Sequence, residues 1–191
     1  LRSKHNKLLG DRKHFIADID RTLTKMRRFV IGIRSGETKS CSGEKFTDVL
    51  NIGIGGSDLG SRMATLSLIP YHDGPRCHFV SNLDGTEIFD TLKTLNPERT
   101  LIVISSKSFS TLETMVNAKA AISWLQGSVK NGLEKHLVAI TCMPEKPKTY
   151  GISDDRVFSF SNYIGGRYSV WGPVGLPLML AIGPKWFEEF L

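Results

Sequence analysis

The sequence predicts an α/β fold, a three-layer α/β/α sandwich around a parallel sheet of about five strands. Two observations predict it. Short Val- and Ile-rich runs alternate with stretches of helical length, and strands separated by helices pair in parallel with helices on both faces. Glycine- and hydroxyl-rich segments stand where those runs end, and such sheets bind ligands beyond the carboxyl ends of their strands. The chain shows no internal repeat and no low-complexity tract.

The elements follow in order. Charged and apolar residues interleave across residues 11–34, which predicts an amphipathic helix over 12–32. Residues 35–45, polar and rich in Gly and Ser, read as a connector. Residues 47–53, with Val49, Leu50 and Ile52, form a first buried strand, and a helix over 57–68 closes at Pro70. A second strand occupies 77–81, and the helix over 86–95 ends before Pro97. A third strand at 100–105 leads into a long helix from Ser110 to about residue 125. Residues 137–141 and 156–160 are two more short strands, and 169–182 is a last helical stretch. Trp124, Trp171, Trp186 and the phenylalanines fall at apolar positions and read as core.

With 191 residues and 40% hydrophobic content, the chain can bury one good core with an appendage. Its charge is lopsided: residues 1–48 hold 12 Lys and Arg against 6 Asp and Glu, and residues 49–191 hold 13 of each. The basic head alternates its charges with acids and apolar residues, as a solvated helix face does, so a nucleic acid is not an expected partner. Cys41, Cys77 and Cys142 are scattered and odd in number, which argues against a zinc site or disulfide framework and for a reducing, cytoplasmic setting. The longest apolar run, residues 174–182, is interrupted by Pro177 and falls well below the roughly 20 residues of a membrane span. The polar start at Leu1, without methionine, and the apolar helical end predict a piece of something longer. His5, His14, His72, His78 and His136 form no spaced cluster and read as surface or strand-end residues.

Three loops carry candidate chemistry. The first is Asn51-Ile-Gly-Ile-Gly-Gly-Ser-Asp-Leu-Gly60, a strand running through glycines into a helix. A dinucleotide fingerprint would need glycine at Asp58, a Walker loop lysine at Ser61, and a nucleophile elbow glycine at Leu59. A tight packing turn remains open as a reading. Equally, Gly56 and Ser57 could present an N–H and a hydroxyl to a sugar or phosphate. The second loop surrounds Lys107 with Ser105, Ser106, Ser108, Ser110 and Thr111, with Phe109 among them, at the start of a helix. Short hydroxyls, one ammonium and the unpaired N–H groups of a first helical turn suit a dianion, most simply a phosphate. Ser110 and Glu113 also have the spacing of a capping box, a purely structural use. The third loop, Gly165-Gly-Arg-Tyr-Ser-Val-Trp-Gly172, places the permanently charged fork of Arg167 beside glycines that admit close approach. Arg167 could instead lie on the surface or pair with Asp154 or Asp155.

Taken together, four ordered segments resemble the glucose-6-phosphate isomerase family, which has the sugar-isomerase (SIS) fold. They are NIGIGGSDLG at 51–60, VSNLDGTEI at 80–88, SSKSFSTLETMVNA at 105–118 and GGRYSVWGPVGLP at 165–177, within a resemblance running from about residue 25 to 191. The resemblance implies a helical segment and connector at 1–46 and a sugar-phosphate-binding SIS domain at 47–191. It also implies interconversion of glucose 6-phosphate and fructose 6-phosphate by ring opening and proton transfer between C2 and C1 through a cis-enediol, without metal or cofactor. Carried over by residue, Ser106, Lys107, Ser108, Phe109, Ser110 and Thr111 match the phosphate loop, and Gly56 and Ser57 match substrate contacts. Arg167 matches the catalytic arginine near the enediolate oxygens.

Ser108 stands where many members carry threonine, and Leu112 where many carry glutamine. The family's general-base glutamate, ring-opening histidine and late lysine lie downstream of these segments, and Glu188 and Glu189 match no base motif. The expectation is therefore a chain that binds a hexose 6-phosphate but does not isomerise it alone, cut from an enzyme that is a cytoplasmic homodimer with no membrane or nucleic-acid partner. Two readings stay open beside it: a non-catalytic phosphosugar-sensing module of the same fold, and a nucleotide-binding α/β protein.

Overall fold

A computed structural model describes residues 11–191, with side chains from residue 16 onward; His5 and the basic residues of 1–10 lie outside the described residues, as does the side chain of His14. Among the described residues, one sheet holds β1 (Asp48–Ile52), β2 (Arg76–Val80), β3 (Thr100–Ser105), β4 (Leu137–Thr141) and β5 (Val157–Ser159). The strands run in the order β2-β1-β3-β4-β5, and each adjacent pair is parallel. The central strands β1, β3 and β4 are buried along their whole length, which is why they read as nearly continuous apolar runs.

The period-2 alternation of the strands divides the core between two faces. Val49, Leu101, Val103, Val138 and Ile140 face α1 (Asp11–Ser35), α2 (Leu59–Ser67) and α5 (Leu176–Phe190), meeting Met26, Val30, Ile33, Ala64 and Leu178. Leu50, Ile52, Ile102, Ile104 and Ala139 face α3 (Gly85–Lys93) and α4 (Leu112–Gln126), meeting Ile88, Leu92, Ala118, Ala121 and Leu125. The small alanines of α4 let that helix sit close to the sheet. The result is the expected three-layer α/β/α arrangement.

The last helix differs from expectation. Residues 166–171 and 173–175 form two 3-10 turns, and α5 begins only at Leu176. Gly172 and Pro173 break the chain between the turns, whereas Pro177 sits in the first turn of α5, where a missing N–H costs nothing. From Leu176 to Gly183 every residue of α5 is buried, as befits a helix that is apolar all round. The helix then kinks at Gly183, with φ +82, and Pro184. Pro184 cannot donate to the carbonyl of Leu180. Arg34, in the last turn of α1, replaces that donor: its Nη1 lies 2.7 Å from Leu180 O and 3.1 Å from Ala181 O, while its other nitrogen pairs with Asp73.

Two tryptophans expected in the core lie at its border. Trp171 stacks on Phe190 at 4.7 Å and Trp186 leans on Tyr71 at 4.9 Å, leaving them 41% and 42% exposed. Indole is large and carries one N–H, so it suits an edge better than a packed interior. Conversely, His136 at the entrance of β4 is fully buried, donating from Nδ1 to Thr100 O at 2.9 Å.

Ile102 is fully enclosed between β1, β4 and the α3–α4 layer, so Ile102→Ala should lower unfolding free energy by about 3 kcal/mol. Phe89 on α3 is 65% exposed, and Phe89→Ala should change it by less than about 0.5 kcal/mol; urea unfolding of both variants checks the contrast. Burial holds the His136 imidazole below its ordinary value of 6.5. The unfolded chain therefore takes up the proton first, and stability present above about pH 6.5 should decline as pH falls below it. His136→Gln should flatten that decline in unfolding curves recorded across the same range.

Candidate functional site

The chain leaves β1 toward β2 and then crosses back to β3 on the other side, so the outgoing loops of β1 and β3 diverge around one crevice. In parallel sheets that reversal is where ligands bind. The glycine loop leaves β1 through Gly53 and the 3-10 turn Gly55–Ser57, and the hydroxyl loop leaves β3 at Ser106. The two exits touch: a Cβ on Gly53 would stand 2.8 Å from Ser57 O and 3.0 Å from Ser105 O. Asn51, buried in β1, steadies the turn by donating from Nδ2 to Ser57 O at 3.3 Å.

The hydroxyl loop is anchored on the end of β4. Ser106 N donates to Ile140 O at 3.0 Å, and Lys107 O accepts from Cys142 N at 3.0 Å and from Thr141 Oγ1 at 3.1 Å. Phe109 takes the left-handed region, φ +48, which a bulky residue adopts only when its surroundings demand it. Its buried ring, edge-on to Tyr150 at 5.7 Å, is that demand. Phe109 thus offers a ligand only its backbone. Ser106 and Thr111 pair hydroxyl to hydroxyl at 3.0 Å, while Ser110 donates to Ser108 at 2.9 Å.

The expected capping box does not form. The residue before α4 is Thr111 rather than Ser110, and its side chain makes no capping bond, because it is turned to Ser106 while Ser110 is turned to Ser108. The first-turn N–H groups of α4 are therefore not consumed by a cap, and the positive end of the helix dipole faces the loop. Lys107 reaches across to donate to Asn162 O, in the segment leading to the third loop. A second ammonium not singled out by sequence, Lys146 in the segment after β4, donates to Ser108 O at 2.8 Å. Nothing in its local pattern, a lysine between Glu145 and Pro147, marks it; the contact spans 38 residues.

The third loop lies against the first. Gly166, at φ +63, approaches so closely that a Cβ on Gly56 would stand 2.8 Å from its Cα. A Cβ on Gly60 would meet Arg167 O at 3.0 Å. The Ser169 hydroxyl lies 3.0 Å from Gly56 O and 2.6 Å from Gly166 O, pinning both loops. Arg167 is exposed, its guanidinium 5.3 Å over the Tyr168 ring. Asp154, one of the two alternative partners, is instead held by Lys148 at 3.1 Å, and among the described residues Arg167 forms no ion pair with Asp155. Gly56, Ser57 and Arg167 are thus gathered on two touching loops, and Lys107 ties the hydroxyl loop to the same region. Lys107, Lys146 and Arg167 give the assembly positive charge suited to an anion.

Asp58, directly after Ser57, is buried, and that burial pushes its carboxyl up, with Arg62 opposing. A carboxylate enclosed in this way is no free base for a ligand in the crevice.

The chain matches the Phosphoglucose isomerase family over residues 1–191. A glucose-6-phosphate isomerase from Ruegeria sp. (strain TM1040) is 53% identical over 181 residues, covering 95% of this chain and 34% of that protein. The glucose-6-phosphate isomerase of Brucella ovis is 50% identical over 185 residues, with 96% and 34% covered. Among solved structures, a glucose-6-phosphate isomerase from Chlamydia trachomatis D/UW-3/Cx superposes with TM-score 0.80 at 27% identity, over 98% of this chain and 34% of that one. The sugar isomerase domain of an RpiR transcription factor from Sphaerobacter thermophilus shares the fold at TM-score 0.52 and 17% identity, over 93% of this chain and 87% of that one. The chain spans about a third of the length of the curated relatives it matches. On its whole matched length, the chain belongs to the phosphoglucose isomerase family.

Proposed function

We propose that this chain is the sugar-phosphate-binding part of a glucose-6-phosphate isomerase, an aldose-ketose isomerase of glycolysis and gluconeogenesis. The observation that carries the reading is the start of α4: a first turn without a side-chain cap, ringed by Ser106, Ser108, Ser110 and Thr111 and flanked by Lys107. Unpaired N–H groups, the helix dipole and an ammonium together favour a phosphate dianion. With the phosphate of a hexose 6-phosphate held there, its sugar chain runs toward Gly56, Ser57 and Arg167. The Arg167 guanidinium then stabilises negative charge as it develops on the enediolate oxygens, an interaction worth more in the transition state than in the ground state. The proton transfers between C1 and C2 need a base that we assign to the part of the longer enzyme beyond these residues, as we do its homodimeric assembly.

We place the enzyme in the cytoplasm. Cys41, Cys77 and Cys142 are all free thiols, which suits a reducing compartment. Among the described residues no helix is long and apolar enough to cross a membrane.

Calorimetric or NMR titration tests the binding half of the reading. Fructose 6-phosphate should bind the 191-residue chain, and Lys107→Ala should weaken it by about tenfold, the scale of one charge-assisted contact. Undiminished binding by that variant would remove the phosphate assignment. In the longer enzyme, Arg167→Ala should lower kcat with little change in KM, and Lys107→Ala should chiefly raise KM; equal losses of both kinds in both variants would overturn the division of roles. The 191-residue chain alone should show no turnover of fructose 6-phosphate, and measurable isomerisation would show that it carries its own base.

A further inference from the structure

The glycine loop and the hydroxyl loop are joined by a second route, through the turn that leaves β2. Asp58 follows Ser57 and is buried, with a side chain 2% exposed. Its Oδ2 lies 3.7 Å from Arg62 Nη1, and its Oδ1 has no hydrogen-bond partner among the described residues. Arg62, one turn along α2, spreads its other nitrogen between Phe79 O at 3.0 Å and Glu87 Oε1 at 3.4 Å. Glu87 Oε2 accepts from the backbone of Ser81 at 3.3 Å and of Asn82 at 3.0 Å, shaping the turn that leaves β2. Asn82 O in turn accepts from Asn117 Nδ2 at 2.7 Å, and Asn117 is a buried residue of α4. The route therefore runs from the glycine loop through Asp58, Arg62, Glu87, Asn82 and Asn117 to the helix whose first turn faces the hydroxyl loop.

We propose that Arg62 is a positioning residue of the phosphosugar site, fixing the glycine loop at the distance from α4 that a hexose 6-phosphate must span. The inference rests on the phosphosugar reading above and extends it to a residue outside the crevice. Arg62 is suited to the task because its planar fork reaches three partners on three segments at once: Asp58 before α2, Phe79 in β2 and Glu87 in α3. Without it, Asp58 is a buried carboxyl lacking the one cation paired with it among the described residues, and Glu87 loses the charge that holds it against α2. The glycine loop then loses its side-chain tie to the turn after β2 and keeps only the backbone bond from Gly53 N to Val80 O at 3.2 Å among the described residues, while the hydroxyl loop keeps its own anchors on β4.

That asymmetry supplies the test. Inorganic phosphate needs only the hydroxyl loop, whereas fructose 6-phosphate needs both loops in register. Titrations of the 191-residue chain, followed by backbone amide NMR, compare the two ligands in the native sequence, Arg62→Met and Arg62→Lys. Arg62→Met should weaken fructose 6-phosphate about tenfold, the coupling expected within one polar network, and leave inorganic phosphate within about twofold of the native value. Arg62→Lys should fall between, and Asp58→Asn added to Arg62→Met should recover part of the loss by removing the stranded carboxyl. If Arg62→Met does not fold, Glu87→Gln replaces it and should show the same split at smaller amplitude. Equal weakening of both ligands, or none for either, overturns the positioning role. Failure of the native chain to bind either ligand overturns the phosphosugar reading itself, and a chain that binds phosphate but not fructose 6-phosphate overturns the span between the loops.

Discussion

The order β2-β1-β3-β4-β5 obliges the chain to leave β1 on one side and come back across it to reach β3. Two strand ends that sit side by side therefore send their loops to opposite faces of the sheet, and no crossover covers the gap between them. The candidate site residues gather around that gap. The glycine loop can stay tight because Gly53 carries no Cβ, which would stand only 2.8 Å from Ser57 O and 3.0 Å from Ser105 O, inside ordinary contact distance. The hydroxyl loop can stay open because its anchors are on β4, the next strand over, and not on the glycine loop.

Backbone proximity, rather than side-chain recognition, is what brings the third segment in. Gly56 faces Gly166 across a distance that leaves no room for a methyl group, and the Ser169 hydroxyl bridges both carbonyls. Arg167 is then carried to the rim as the next residue along. Its charge stays exposed, stacked over Tyr168, while Asp154 pairs with Lys148. An arginine held by its backbone and left with open donors is suited to charge that appears only during a reaction.

Much of this was legible in the sequence. Alternating apolar runs and helical stretches located five strands within two residues of their observed ends, because buried parallel strands have a composition that is hard to mistake. The glycines of 53–60 and 165–166 also announced close approaches, though not that they would approach each other; 110 residues separate Gly56 from Gly166, and no local rule spans that interval. Two local patterns resolved differently from expectation, and Phe109 lies buried as its apolar side chain predicts. Ser110 and Glu113 satisfy the spacing of a capping box, but Ser108 and Ser106 offered the hydroxyls nearer partners, so the helix began one residue late and uncapped. Residues 169–175 look helical by periodicity, yet Gly172 and Pro173 break them into 3-10 turns, with Gly175 packed so close to Val170 O that it has no room for a Cβ. Phe109 sits inside a loop of polar residues but is drawn under it by Tyr150. At Ser110 and at Gly175 the competing contact is itself local, two to five residues away, whereas Phe109 answers to a partner 41 residues on.

The bond from Arg34 to the bent part of α5 joins positions 146 residues apart. A chain growing from its amino end thus presents the apolar side of α1, with Met26, Val30 and Ile33, long before the segment that will cover it has been made. Until then that side is a candidate for chaperone capture or self-association, since buried apolar faces are adhesive when uncovered. The Leu180 carbonyl, deprived of its helical donor by Pro184, meets the converse situation: it emerges late into a site where the guanidinium is already waiting. Closure of this face during synthesis is therefore timed by α5, and the sheet's two sides mature at different moments.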